Sequence, residues 1–186
     1  HLRTLLHPGV PVASALLALA ERRPLTGADF LHAFVLGVEV ECRIANAIYF
    51  AHNVSWYITG TAGVFGAAAA VGRVLGIDEQ QMTWAFGIAA THAAGLREMA
   101  GTMCKSFVHG RAAQNGMTAA LLAARGFTSS ERAIEAPRGF AHVLATDRRL
   151  GEITERLGER YEIALNTYKP YACGVVCHPA IDGCIQ

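Results

Sequence analysis

A run of glycine and alanine inside one predicted helix constrains the fold most. The segment from about Thr61 to Gly76, TAGVFGAAAAVGRVLG, has few large side chains. Because small side chains let neighbouring helices approach closely, this helix is expected in a buried position. The same segment carries Arg73 and is too short and too rich in small residues for a typical membrane span. We therefore predict that no helix crosses a membrane.

Capping signals flank other helical patterns. An apolar stretch at helical spacing follows the HPG at residues 7–9 and stops at Pro24. Thr26 with Asp29 resembles a capping box for a second helix, and Asp78 with Gln81 caps a fourth. A fifth is predicted over residues 110–126, GRAAQNGMTAALLAARG. The pattern indicates a mainly α fold.

The residue composition of the sequence changes near Tyr161. Residues 161–176 contain β-branched and aromatic residues with a proline and a glycine, which predicts a strand and turn before another helix at His178. We therefore divide the chain into an all-helical domain over residues 1–160 and the beginning of an α/β domain over residues 161–186. Within the helical part, Glu39 and Arg43 are expected to form an exposed ion pair one turn apart.

Composition limits the classes of function. Hydrophobic residues make up 52% of the 186 residues, charged residues make up 17%, and the formal net charge is +1. This balance does not indicate a nucleic-acid-binding surface. No signal-peptide pattern is visible and the five cysteines have no framework spacing, so reduced thiols and a cytoplasmic location are expected. The sequence opens without methionine and closes within an apolar pattern, so we expect it to be part of a longer protein.

Three basic side chains lie close together in GTMCKSFVHGRAAQNG, residues 101–116. Lys105 is expected in a loop, and His109 and Arg111 at the start of the fifth helix. A helix N-terminus offers unpaired N–H groups and the positive end of a dipole, which favour a carboxylate or phosphate. Ordinary surface cations in a solvated loop are the alternative interpretation.

A second candidate site is SWYITGTAG, residues 55–63. Gly60 and Thr61 precede a predicted helix and would form another anion-binding turn. Tyr57 could donate a proton there, although a packed aromatic residue with a bonded hydroxyl is the ordinary alternative.

Near the end of the sequence, His178 precedes Asp182 by one helical turn, so the carboxylate could orient the imidazole. A histidine that caps a helix is the alternative, and His7 carries the same ambiguity. The spacing of Cys173, Cys177 and Cys184 matches neither zinc nor iron–sulfur motifs, so no metal site is predicted.

Five segments resemble, in this order, the MmgE/PrpD family: LLHPGVPVASALLALAE, YITGTAGVFGAAAAVGRVLG, GLREMAGTMCKSFVHGRAAQNG, AARGFTSS and KPYACGVVCHPAID. That family includes 2-methylcitrate dehydratase, cis-aconitate decarboxylase and iminodisuccinate epimerase. The resemblance covers almost the whole chain. It implies a large helical domain with a smaller α/β lid, an active site in the cleft between them, a homodimer, and no metal or organic cofactor.

The resemblance also implies roles for particular residues. The family's active-site histidine falls on His7, its catalytic lysine on Lys105 and the histidine of the lid on His178. The chain departs from the family at Tyr57 and Val108, where histidines are common. Proton transfer is thus expected from Lys105, His178, Tyr57 and His7. The expected carboxylate-binding residues are Gly60, Thr61, His109 and Arg111.

The implied activity is that of a cofactor-independent lyase acting on a small di- or tricarboxylic acid, with dehydration of a 2-methylcitrate-like substrate as the expected reaction. Epimerisation or decarboxylation of a related polycarboxylate is one alternative. A catalytically silent helical dimerisation module is another. The three reactions pass through a carbanion or enolate beside a carboxylate, so they need cations together with an acid and a base.

Overall fold

The structure is a computed structural model that describes residues 1–51 and 55–185. Within these residues it contains seven α-helices and several 3₁₀ turns but no strand, so the predicted mainly α fold is confirmed. The helices are α1 (Gly9–Ala20), α2 (Gly27–Ile48), α3 (Ile58–Leu75), α4 (Glu79–His92), α5 (Met103–Ala123), α6 (Phe140–Leu144) and α7 (His178–Ile185).

Helix α3 is the centre of the fold and packs against α1, α2, α4 and α5. Its glycines lie at the contacts: a Cβ atom added at Gly66 would be 2.7 Å from the carbonyl oxygen of Gly37, and one added at Gly37 would be 2.7 Å from that of Gly66. The predicted burial of this helix is confirmed. By length and composition α3 could cross a bilayer, but 83% of its apolar window is buried, as in the core helices of soluble proteins.

The predicted caps of two helices are confirmed. The Thr26 hydroxyl accepts a hydrogen bond from the Asp29 amide at the start of α2, and Asp78 forms a reciprocal capping box with Gln81 at the start of α4. These caps satisfy amides that have no partner within their own helices.

The predicted start of the fifth helix is wrong. Helix α5 begins at Met103, directly after a left-handed turn at Gly101, where φ is +85°. Nothing between residues 103 and 109 interrupts a helix, and Val108 and His109 gain burial by continuing it. Lys105 therefore lies in the first turn, whereas His109 and Arg111 lie further along the helix and away from its N-terminus.

The Glu39–Arg43 pair is buried, so its predicted exposure is wrong. Arg43 Nε lies 2.6 Å from Glu39 Oε1, and the same guanidinium donates to the carbonyl oxygens of Glu155 and Arg160 at 2.9 and 2.8 Å. Glu39 Oε2 accepts from the amide of Glu162 at 2.6 Å. The pair thus holds residues 155–162 against α2.

The strand predicted in residues 161–176 is wrong. The described chain there forms 3₁₀ turns at Glu162–Leu165 and Val175–Cys177. A strand needs the backbone groups of a neighbouring strand, and no such neighbour lies within the described residues. Helix α7 does begin at His178, as predicted. The division into domains at residue 160 stays a prediction.

Two glycines of α5 test the close packing around α3. A Cβ atom at Gly116 would collide with the Val64 carbonyl and lie 2.8 Å from the amide nitrogen of Ala68, whereas one at Gly110 would meet nothing within 4 Å. We expect Gly116→Ala to destabilise the fold by about 1–3 kcal/mol, because backbone atoms must shift. Gly110→Ala, the matched control, should stabilise it by up to about 1 kcal/mol. Urea unfolding measures both, and equal midpoints for the two variants would contradict the packing.

Candidate active site

A short antiparallel contact holds Tyr57 at the N-terminus of α3. The amide of Tyr57 donates to the carbonyl oxygen of Gly95 at 2.9 Å, and the amide of Arg97 donates to that of Ser55 at 2.9 Å. Trp56 and Leu96 form the bridge between these two bonds. Because both segments are tied by backbone hydrogen bonds, Tyr57 has a defined position beside α5.

His109 contacts Tyr57 from the second turn of α5. Its Nδ1 lies 3.1 Å from the carbonyl oxygen of Lys105, and its Nε2 lies 3.2 Å from the Tyr57 hydroxyl. A carbonyl oxygen can only accept, so Nδ1 carries the proton when the imidazole is neutral. Nε2 is then an acceptor, and the hydroxyl of Tyr57 donates to it.

Val108 explains why His109 has this position. Val108 is buried. Cβ atoms added at Gly60 and Gly95 would lie only 2.6 and 2.7 Å from the Cγ1 atom of Val108. The valine thus fills the contact between α5 and the two glycines. The imidazole, one residue later, lies against the Tyr57 ring with centroids 5.4 Å apart.

His7 completes the cluster from the turn before α1. Its amide donates to the Thr59 hydroxyl at 3.2 Å, and its Nδ1 lies 3.4 Å from both the Thr59 and Tyr57 hydroxyl oxygens. The rings of His7 and His109 are perpendicular, with centroids 6.1 Å apart. The Tyr57 hydroxyl therefore lies between two imidazoles.

Burial and positive charge keep this cluster uncharged near neutral pH. Burial, followed by the charges of Lys169, Lys105 and His109, lowers the pKa of His7 to about 4. Burial and the charge of Lys105 also lower the pKa of His109. Burial raises the pKa of Tyr57, against a hydrogen bond from Thr59 and the charge of Arg97. A neutral imidazole can accept a proton and a protonated phenol can donate one, so neither group must first change its protonation state.

Lys105 and Lys169 are the only lysines in the 186-residue chain, and both lower the pKa of His7. Two ammonium groups beside neutral proton donors and acceptors suit an anionic ligand, because they balance its charge without quenching the acid–base groups. Of the predicted site residues, the structure thus brings together His7, Tyr57, His109 and the charge of Lys105.

His178 lies elsewhere. Its ring is buried at the start of α7 against Tyr171, with centroids 5.3 Å apart, and Nε2 has no partner among the described residues. The predicted orientation of His178 by Asp182 is wrong, because Asp182 instead accepts a hydrogen bond from the Tyr171 hydroxyl at 2.5 Å. Nothing in the described parts of the chain joins His178 to His7 or Tyr57.

The predicted anion-binding turn at Gly60 and Thr61 is not open. Both amides donate to the carbonyl oxygen of Tyr57, at 2.9 and 3.2 Å, within the first turn of α3. Arg111 is exposed on α5 and donates to Gln114 at 2.7 Å. The amides of Gly60 and Thr61 therefore have a partner within the protein, whereas Arg111 keeps further N–H donors beside the one that bonds to Gln114.

Sequence reasoning missed Thr59 and Lys169. Thr59 lies inside the motif that drew attention to Tyr57, and no signal sets it apart from a buried helix residue. Lys169 had a signal, because it is the second of only two lysines in the sequence.

The described residues contain no group of three or more His, Cys, Asp or Glu side chains that could hold a metal ion. All five cysteines lie within those residues and are free thiols. The side chains of the cluster itself are imidazole and phenol groups, which can donate and accept protons.

A helical domain with such a cluster has side chains that acid–base chemistry requires. The chain belongs to the MmgE/PrpD family, since the family model described as the MmgE/PrpD N-terminal domain matches residues 1–152. A cis-aconitate decarboxylase of Aspergillus terreus is 30% identical over 98% of this chain and 39% of its own length. The cis-aconitate decarboxylase-like protein oryM of Aspergillus oryzae is 32% identical over 95% and 40%.

A human cis-aconitate decarboxylase is 32% identical over 72% of this chain and 29% of its own length. The chain thus spans about two fifths or less of the curated relatives it matches. The names of these relatives support a lyase-type family.

Titration of the two histidines tests the geometry. We expect His7 to titrate near pH 4 and His109 below its usual 6.5, with His109 in the Nδ1–H form above that range. Because these pKa values are lower in the folded state, the free energy of unfolding should decrease as pH falls from 6.5 towards 4. Nitrogen-15 NMR of the imidazoles measures both the midpoints and the tautomer.

The same spectra show which charges lower the pKa of His7. Lys105→Met and Lys169→Met should each raise the His7 midpoint, because each removes a positive charge, whereas Arg125→Met, in the turn after α5, should not. A His7 midpoint at or above 6.5 in the unmodified protein would contradict the described site.

Proposed function

We propose that the protein is a cofactor-independent lyase that acts on a small di- or tricarboxylic acid by acid–base catalysis. The observation that carries this proposal is the Tyr57 hydroxyl between two imidazoles, one of which, His7, has its pKa lowered by burial and by the charges of the chain's only two lysines. The lysines would balance the charge of substrate carboxylates, and the neutral cluster would move the proton.

Decarboxylation of cis-aconitate or a closely related acid is the proposed reaction. The curated relatives carry that activity in their names, which favours it over the dehydration of 2-methylcitrate expected from the sequence. In this reaction the bond from carbon to one carboxylate breaks, CO2 leaves, and the electron pair stays on a carbanion stabilised by a neighbouring carboxylate. One proton must then be added to carbon.

The described residues supply the proton donors that these reaction steps need. The Tyr57 hydroxyl or the Lys105 ammonium donates the proton, and the group that donated regains it from solvent. For Tyr57, the His7 imidazole would donate a hydrogen bond to the transient phenolate and return the proton from solvent to it, while His109 Nε2 accepts from the restored hydroxyl. A neutral His7 would be the base if the same site performed dehydration or epimerisation instead.

Some predicted residues take no part in this mechanism. The amides of Gly60 and Thr61 already have a partner in the first turn of α3, so we assign them no bond to substrate, and carboxylate binding by Arg111 stays a prediction. A role for His178 stays a prediction that the mechanism does not require. We also propose a homodimer, on the family resemblance, and a cytoplasmic location, on the cysteines that have no framework spacing.

Lys105→Ala tests the activity in the full-length protein that contains this chain. We expect the rate of CO2 release from cis-aconitate to fall about 10²–10⁴-fold, because Lys105 provides both charge and a proton. Arg125→Ala, in the turn that follows the same helix, should keep the unmodified rate. Release of 13CO2 and proton NMR of the product are the measurements.

The outcomes separate the candidate reactions. Unchanged turnover in Lys105→Ala would overturn the proposed role of Lys105. Loss of water from 2-methylcitrate without CO2 release from cis-aconitate would identify a dehydratase. If neither acid is turned over and neither raises the melting temperature in a Lys105-dependent way, the protein is a silent helical module.

A further inference from the structure

A small cavity of about 260 Å³ adjoins Tyr57, away from any role assigned so far. Aromatic and aliphatic side chains form most of its wall, and Arg97 is the only charged residue among the described residues that line it. The principal wall residues are Tyr49, Phe50, Trp56 and Ile58. A cation beside an apolar wall suits a ligand that has both a short hydrocarbon part and an anionic end.

Arg97 has a defined backbone position in this cavity. Its amide donates to the Ser55 carbonyl at 2.9 Å, and its own carbonyl accepts from the amide of Ala100 at 3.0 Å. Through the adjoining Trp56–Leu96 bridge, Arg97 belongs to the same antiparallel contact that holds Tyr57. The separation between the backbones of Arg97 and Tyr57 is therefore set by hydrogen bonds.

The guanidinium of Arg97 is available to a ligand. The side chain is exposed, and no carboxylate or carbonyl in the described parts of the chain bonds to it. Its charge reaches the Tyr57 hydroxyl, where it opposes the rise of the pKa that burial causes. A second cation is near the cavity, because the Arg149 guanidinium lies over the Phe50 ring, 4.6 Å from its centroid.

We propose that this cavity is a substrate subsite in which Arg97 binds a carboxylate remote from the carbon that is protonated. The inference rests on the proposed function, since it assumes a polycarboxylate at Tyr57. Arg97 would then determine specificity, because a guanidinium binds a carboxylate through two parallel hydrogen bonds and a ligand lacking that carboxylate gains nothing from it. The aromatic walls would contact the methylene group in between.

Binding of two non-reacting acids tests the subsite. Propane-1,2,3-tricarboxylate has a remote carboxylate at each end, and methylsuccinate has the same carbon chain with one of these end carboxylates removed. Calorimetry on the full-length protein should show at least a tenfold higher Kd of the tricarboxylate for Arg97→Met, with the Kd of methylsuccinate changed less than twofold. Arg97→Lys should recover part of the loss, because it restores the charge without the paired geometry. Arg125→Met is the control and should leave both Kd values unchanged.

Turnover gives an independent measurement. In Arg97→Met we expect KM for cis-aconitate to rise at least tenfold with kcat within threefold, because a remote contact binds the ground and transition states alike. Equal Kd values for the tricarboxylate in Arg97→Met and the unmodified protein would overturn the subsite while the proposed function stands. If the unmodified protein binds neither acid and does not turn over cis-aconitate, both proposals fail. A comparable loss for methylsuccinate would also overturn the assignment, since it would indicate a structural role.

Discussion

Close packing of small residues around α3 is the constraint on which the rest of the structure depends. Gly37 and Gly66 bring the backbones of α2 and α3 together, and Gly116 does the same for α5. Because larger side chains would keep these helices apart, the glycines determine how near the N-terminus of α3 lies to α5. The contact of Tyr57 with His109 is a consequence of that distance.

The electrostatics of the cluster follow from its place at the edge of this packing. Burial makes the charged forms of His7 and His109 costly, and the two lysines add to that cost by repulsion. The same lysines would attract substrate carboxylates. A site arranged in this way keeps its acid and base neutral while remaining cationic overall, which suits the protonation of a carbanion beside carboxylates.

Much of the fold followed from local patterns, and several errors have one origin. The buried α3 and the caps at Thr26 and Asp78 are local features, and they were predicted correctly. The burial of the Glu39–Arg43 pair depends on carbonyl groups more than 100 residues away, which no periodicity reveals. The prediction of a strand after residue 160 failed for a similar reason, because a strand also depends on a partner elsewhere in the chain.

By itself, the sequence determined the helical class, the family resemblance and the residues His7, Tyr57, Lys105 and His109, because these depend on local pattern and residue type. Only the tertiary structure decided that His109 bonds to Tyr57 while Val108 packs against Gly60 and Gly95. It also brought the charge of Lys169 to His7 and gave the amides of Gly60 and Thr61 a partner. The physical reason is that hydrogen bonds, burial and charge act across space between segments whose separation in sequence carries no signal.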